Sequence, residues 1–337
     1  MMEERIIIER GSLNRLGSYL KEYNPKKVGI VTDSNVGRLY LAGAVKALEE
    51  NGFSVFTHVI EPGDLSKNID NYNLILCELS KEGFTRKDIL IALGGGVTGD
   101  LTGFVAGCFM RGIPYVQVPT TLLSMVDSSI GGKTGINLKT GKNLAGLFHF
   151  PLFTLMDPSV LKTLPENTYR EGLSEVVKYG IIKEHEMLKL VKDYKEKEDE
   201  IIKRSASIKT LIVSRDAFEK DERMLLNFGH TVGHALEALS GYSISHGDSV
   251  ALGMVIEAEG LYNLGFTDYN AGPLLRDTLR SLGFSLKTDT LDKKSLYKFI
   301  ESDKKRAGDG ITLIVPQSPG VCRLEKVTMD TVKKLLV

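Results

Sequence analysis

The stretch Asp88–Gly107, DILIALGGGVTGDLTGFVAG, decides how the chain is to be read. DILIAL is a near-continuous apolar run of strand length, three glycines follow, and a segment of helical period begins after them. Strand, glycine turn and helix in that order are the start of a nucleotide-type crossover in a parallel α/β unit. Gly94, Gly96 and Gly99 satisfy GxGxxG in this setting. Glycines there let the backbone approach a pyrophosphate, whose charge meets free N–H groups at the helix start. The plainer alternative is a tight structural turn. One part of the usual fingerprint is missing, the acid about 20 residues on that holds a ribose. No acid lies between Asp100 and Asp127, and the early strand KVGIVTDSN ends in Asp33 instead. The expected wiring therefore differs from the Rossmann type.

Outward from this turn, the amino-terminal part alternates apolar runs with amphipathic segments. RIIIER (5–10), KVGIVT (27–32), FSVFTHV (53–59) and PYVQVP (114–119) read as strands, with helical patterns at 12–22, 37–50, 66–82 and 97–110. Strands that are apolar along their whole length imply a mostly parallel sheet covered on both faces. Beyond it the texture turns helical, from NTYREGLSEVVKYGIIK through 184–215, 223–239, 247–264, 271–283 and 292–303. ITLIVP (311–316) and GVCRLEKV (320–327) form a small hairpin pattern, and DYKEKEDE (193–200) reads as a solvated surface. The expectation is an α/β domain over 1–160 and a mainly helical domain over 161–337.

Composition narrows the function. Lys+Arg and Asp+Glu are both 43, so the net charge is zero and neither nucleic acid nor an anionic membrane is expected as the main partner. No apolar stretch reaches the ~18 residues of a membrane span. The opening MMEERIII lacks a basic segment followed by an apolar one, so no secretory signal is expected. Three cysteines without CxxC spacing fit a reducing, cytoplasmic setting rather than a disulfide framework.

Glycine and histidine concentrate the chemistry. Residues 94–146 hold 12 of the 34 glycines. Within VPTTLLSMVDSSIGGKTGINLKTGKN (118–143) two segments approach a P-loop and both fail, one by carrying Asp127 where glycine is needed. Lys133, Lys142 and Asn143 remain beside flexible glycines, a set suited to phosphate oxygens or simply to a solvated loop. Three of the six histidines, His230, His234 and His246, fall within 17 residues. NFGHTVGHALE puts His230 and His234 one turn apart on one helix face, a spacing that suits a divalent metal, and His246 in SISHGD is placed to join them. A carboxylate would complete the set, from Glu175 in EGLSEVVKYG or from Glu237. KTLIVSRDAFEKDER adds Lys209, Glu219 and Arg223. Arg223 precedes His230 by seven residues, and a continuous helix would put both on one face, making the arginine an anion clamp.

The strings GGGVTGDLTGFVAG, MRGIPYVQVPTTLLSMVDSSIGGKTGIN, GKNLAG, EVVKYG, LLNFGHTVGHALE and HGD run in this order over nearly the whole chain. Together they resemble the dehydroquinate synthase family, NAD- and metal-dependent homodimeric lyases of the shikimate pathway. The resemblance implies that Glu175, His230 and His246 ligate zinc or cobalt, and that His234 contacts phosphate rather than metal. It places Asp33, Asp64, Lys67, Gly95, Gly96, Val97, Asp100, Thr120, Thr121, Leu123 and Lys142 on the cofactor. It places Asp127, Lys133, Asn143, Lys178, Lys209, Glu219, Arg223, Asn227 and His234 on the substrate. Arg111 resembles an arginine that reaches a neighbouring subunit's site, and a carboxy-terminal lysine matches Lys304 or Lys305. Two departures stand out: Asp248 in HGD where many members have Glu, and DAFEKDER in place of DExExGxR.

The implied activity turns 3-deoxy-D-arabino-heptulosonate 7-phosphate (DAHP) into 3-dehydroquinate and phosphate through transient oxidation, elimination, reduction, ring opening and aldol closure. Its substrate carries a carboxylate at one end and a phosphate at the other. Rival readings are a sister sugar-phosphate cyclase of the deoxy-inosose or valiolone synthase type, a metal-dependent polyol dehydrogenase, and a non-catalytic NAD-sensing module.

Overall fold

In a computed structural model, residues 4–241, 243–287, 292–307 and 311–336 are described, with side chains omitted at 302–307. Lys304 and Lys305 therefore lie outside the described side chains. The chain divides into two compact units at Pro165/Glu166.

The first unit is built on six parallel strands: β1 (Ile6–Ile8), β2 (Lys27–Asp33), β3 (Ser54–Ile60), β4 (Ile89–Gly94), β5 (Tyr115–Pro119) and, after an antiparallel hairpin of β6 (Lys133–Leu138) and β7 (Gly141–Phe148), β8 (Thr154–Met156). Their order is β1-β8-β5-β4-β2-β3. The central strands are apolar throughout because both faces are covered: every residue of β4 is buried, and Ile30 of β2 sits in register with Ile91. The helices are α1 (Leu16–Leu20), α2 (Ser34–Val36) running through a π turn into α3 (Ala42–Glu49), α4 (Ile69–Lys81) and α5 (Gly96–Cys108). Ile75 and Leu79 of α4 and Leu101 and Val105 of α5 close one core with Val31, Leu90 and Tyr115 of the sheet. Truncating one such side chain costs about 2–5 kcal/mol.

Gly99, Gly103 and Gly107 form one stripe of α5. A Cβ on Gly99 would lie 2.7 Å from Gln117 Oε1, and one on Gly103 would overlap the Thr134 side chain. The third glycine of the GxGxxG string thus serves close packing of helix on strand.

The β2 to β3 connection places β3 on one side of β2, while β4 lies on the other. The order of winding therefore reverses between β2 and β4. In open α/β sheets ligands bind in the crevice outside the carboxyl ends of strands at such a reversal.

The second unit is helical: α6 (Glu166–Ile182), α7 (Met187–Leu190), α8 (Glu198–Arg215), α9 (His230–Leu239), α10 (His246–Asn263), α11 (Gly272–Ser281), α12 (Lys293–Ala307) and α13 (Met329–Leu335), with one antiparallel hairpin, β9 (Ile311–Ser318) and β10 (Val321–Val327). Long stretches of α6 and α10 are buried on every face, Leu173–Ile182 and Ser249–Val255 among them, as expected of helices at the centre of a bundle. DYKEKEDE falls on the turn between α7 and α8 and the start of α8. No described helix is long and apolar enough to cross a membrane.

The helix expected over 223–239 is two pieces. Glu222–Asn227 is a 3-10 turn, Phe228 is extended, and Gly229 takes the left-handed conformation at φ +79° before α9 begins. Arg223 is therefore not on a shared helix face with His230.

Candidate active site

Asp33 is the last residue of β2 and Gly94 the last of β4, so the two flank the reversal point. Asp33 caps the helix after it, one oxygen accepting the N–H groups of Asn35 (2.9 Å) and Val36 (3.1 Å). Its other oxygen remains available for a ligand hydroxyl. Gly95 opens α5 and brings no side chain to cap it. The first-turn N–H groups there, including those of Gly96 and Val97, suit an anion. Thr120 donates its backbone N–H to Gly94 O (3.0 Å), and Thr121 bonds Ser124, placing Leu123 and the turn with half-buried Asp127 beside the end of β4.

A polar network ties the loop after β3 to the tip of the β6–β7 hairpin. Lys67, 5% exposed, donates to Asp100 Oδ2 (2.8 Å) and Asn143 Oδ1 (2.6 Å). Lys142 pairs with Asp64 (3.0 Å), which also accepts from Asn137 Nδ2 (2.9 Å). Asn143 is held at φ +55° with its N–H on Asn137 Oδ1 (3.0 Å). Asn143, expected on the substrate, is thus bonded directly to Lys67, expected on the cofactor. Lys133 is exposed at the other end of the hairpin, and Arg111 is exposed on the left-handed turn after α5.

In the second unit Glu175 comes from α6, while His230 and His246 are the first residues of α9 and α10. One ligand atom from each lies within 4.8 Å of the others. Glu175 Oε1 is 3.7 Å from Nε2 of both imidazoles. That is too long for a hydrogen bond, whereas ligands about 2.1 Å from a tetrahedral ion stand about 3.4 Å apart. The far nitrogens fix the ring orientation. His230 Nδ1 faces Phe228 O (3.2 Å), and His246 Nδ1 faces Glu237 Oε2 (3.5 Å). Glu237, an open alternative for the ligand, stands behind His246 instead. His234 lies outside the set, although its ring is 5.2 Å from that of His230. The HxxxH spacing alone would have paired these two.

Electrostatics differ between the imidazoles. Burial first, and then the Lys178 charge, hold His230 well below its usual range, in the neutral form a metal needs. Burial pulls His246 down too, but the nearby Glu175 and Glu237 carboxylates outweigh it and push it up to about 9. Lys178, 1% exposed, is ion-paired with Glu175 one turn away on α6.

Lys209 of α8 and Arg223 are buried cations of the same unit. The segment before Arg223 is organised by Asp216, which sequence reasoning did not single out. Its carboxylate accepts the N–H groups of Lys220 (2.9 Å), Asp221 (2.7 Å) and Arg223 (3.1 Å). Burial would raise the Asp216 carboxyl, but these three bonds hold it below its usual range. The turn presents Glu219 at φ +58°, where it accepts from Asn227 Nδ2 (2.6 Å). The only advance signal was an acid opening a short polar loop. Asp248 lies in the first turn of α10, where its Oδ2 accepts the Ser245 hydroxyl (2.9 Å), a contact within reach of the shorter acid.

A solved structure of 2-deoxy-scyllo-inosose synthase, complexed with carbaglucose-6-phosphate, NAD+ and Co2+, superposes with a TM-score of 0.89 at 24% identity, covering 98% of this chain and 95% of that one. The chain therefore shares the fold of that structure. Family profiles described as "3-dehydroquinate synthase N-terminal" and "3-dehydroquinate synthase C-terminal" match residues 57–171 and 172–306. A 3-dehydroquinate synthase of Clostridium kluyveri is 38% identical over 97% of this chain and 94% of its own, and one of Streptococcus mutans 40% over 98% and 96%. The chain belongs to the 3-dehydroquinate synthase family.

Proposed function

We propose that this chain converts DAHP into 3-dehydroquinate and phosphate, the first unit taking NAD and the second a divalent ion with the sugar-acid phosphate. The observation that carries this reading is the meeting of Glu175, His230 and His246, within a chain of this family. Two imidazole nitrogens and one carboxylate suit zinc or cobalt and leave a coordination position for substrate. When bound, the ion supplies Lewis acidity to a substrate hydroxyl and NAD a reversible hydride acceptor.

The chain's own residues bind and orient. Asp33 receives ribose hydroxyls, and Gly95, Gly96 and Val97 offer backbone N–H groups to the pyrophosphate. Asp64, Lys67, Asp100, Thr120, Thr121, Leu123 and Lys142 complete the cofactor side. Lys178, Lys209 and Arg223 match a substrate that is anionic at both ends, through charge-assisted hydrogen bonds. Glu219 and Asn227 act as one bonded pair on its hydroxyls, and His234 reaches its phosphate. Asp127, Lys133 and Asn143 are the remaining substrate residues that the family resemblance implies. Ring closure then needs mainly a held conformation. Arg111, exposed on its strained turn, serves the site of a second copy, so the working form is a homodimer in the cytoplasm.

The test is phosphate release from DAHP, with and without NAD, Co2+ and a chelator. Release that needs both, with no net NADH, is expected. Absence of phosphate overturns the proposal. NADH accumulating with product would mark a polyol dehydrogenase, and phosphate from glucose 6-phosphate but not from DAHP a sister cyclase. Arg223, buried on the turn that carries the Glu219–Asn227 pair, and buried Lys209 of α8 favour the substrate with a carboxylate.

A further inference from the structure

Both imidazoles of the metal set open a helix, yet the two helices are capped differently. Ser245 caps α10 in the ordinary way, its Oγ accepting the Asp248 N–H (3.2 Å). The cap position of α9 is Gly229, which has no side chain to offer. It must be glycine, because φ is +79° and a Cβ would lie 2.8 Å from Met254 N and 2.9 Å from Val250 O. Gly229 and Gly233 let α9 lie directly on α10, and that contact leaves the first N–H groups of α9 out of reach of water.

Glu257 of α10 meets them from across the contact. It is 0% exposed; its Oε2 accepts the Gly229 N–H (2.9 Å) and its Oε1 the Val232 N–H (3.1 Å). One carboxylate thus spans the turn that contains His230. Burial pushes the Glu257 carboxyl up to about 7, against the pull of those backbone N–H groups. A buried acid is a costly way to cap a helix. The cost is understandable where the helix start has to be held in one place.

We infer that Glu257 is a positioning residue of the metal centre: by capping α9 from α10 it fixes the turn from which His230 presents Nε2. The inference rests on the metal reading above. Glu257 touches neither metal nor substrate, and its effect passes through His230.

The test compares the full-length wild type with E257L, E257Q and H230A, all purified metal-free. Co2+ affinity and the d–d absorption of the bound ion are measured, together with amide exchange of Gly229 and Val232. E257L is expected to bind Co2+ about tenfold or more weakly, with altered absorption, as for losses behind a metal ligand. Exchange at the two amides should rise at least about tenfold as the cap is lost. E257Q keeps one acceptor oxygen and should fall between E257L and wild type. It carries the comparison if E257L does not fold. A folded variant with wild-type Co2+ affinity and spectrum overturns the positioning role, and so does unchanged amide exchange. Equal Co2+ affinity in wild type and H230A would overturn the metal reading itself, and this inference with it.

Discussion

Glu237 holds His246 from behind: its Oε2 is 3.5 Å from Nδ1, while Nε2 of the same ring is 3.7 Å from Glu175 Oε1. A carboxylate in that place selects the tautomer with its proton on Nδ1 and raises the basicity of the nitrogen that faces the ion. E237Q should therefore weaken metal binding about 10–100-fold with little change in thermal stability of the metal-free protein. Competition against a chelator measures it. Unchanged affinity would reduce Glu237 to a bystander.

Asp216 makes a pH-dependent contribution to the fold. Its carboxyl is held below the ordinary value of 3.8, despite burial, by three backbone N–H groups. A depressed folded-state value means that the stabilisation is complete above the unfolded value and is lost as pH falls through the folded one. D216N should cost about 1 kcal/mol at pH 7, as loss of a cap does. The gap between D216N and wild type should shrink as denaturant melts are taken into acid below the ordinary aspartate range. A gap that stays constant into acid contradicts this assignment.

Gly103 and Gly43 give opposite signs for the same substitution. A Cβ at Gly103 would overlap Thr134 and lie 3.1 Å from the Tyr115 ring, whereas nothing lies within 4 Å of one at Gly43. Gly103→Ala should destabilise by about 1–3 kcal/mol through overpacking. Gly43→Ala, in an exposed part of α3, should stabilise by about 0.5–1 kcal/mol through helix propensity. Thermal melts of the two variants decide it, and a shift in the same direction for both would refute the packing role of the α5 glycine stripe.

What could be seen in advance follows the same physics. β2, β4 and β5 were legible because a strand covered on both faces must be apolar along its length. The β6–β7 hairpin was not, since KTGINLKTGKNLAGLF is rich in glycine and leaves β7 half exposed, so it reads as a loop. The break at Gly229 was hidden because helical period continues across it on both sides. Spacing along α9 pointed to His230 with His234, while the set in space draws one residue each from α6, α9 and α10. No local pattern encodes which face of α6 meets two helix starts far along the chain. The resemblance named Glu175 where spacing left it level with Glu237.

Lys67 offers the sharpest separation between a structural and a binding role. Its ammonium is bonded to Asp100 Oδ2 at 2.8 Å and Asn143 Oδ1 at 2.6 Å, with only 5% of the residue exposed. A cation so placed either only pins the hairpin tip or also shapes the cofactor crevice. Lys67→Met keeps most of the volume and removes the charge. A hydrogen bond to a charged group is worth about 1.5–3 kcal/mol. If the network shapes the crevice, NAD should bind about tenfold or more weakly to the variant, measured by titration calorimetry on the full chain. Co2+ affinity should stay at the wild-type value, because the ion's residues all belong to the second unit. A lower melting temperature with unchanged NAD affinity would leave Lys67 as a strut alone. Loss of both affinities together would mean that the substitution had unfolded more than the hairpin tip.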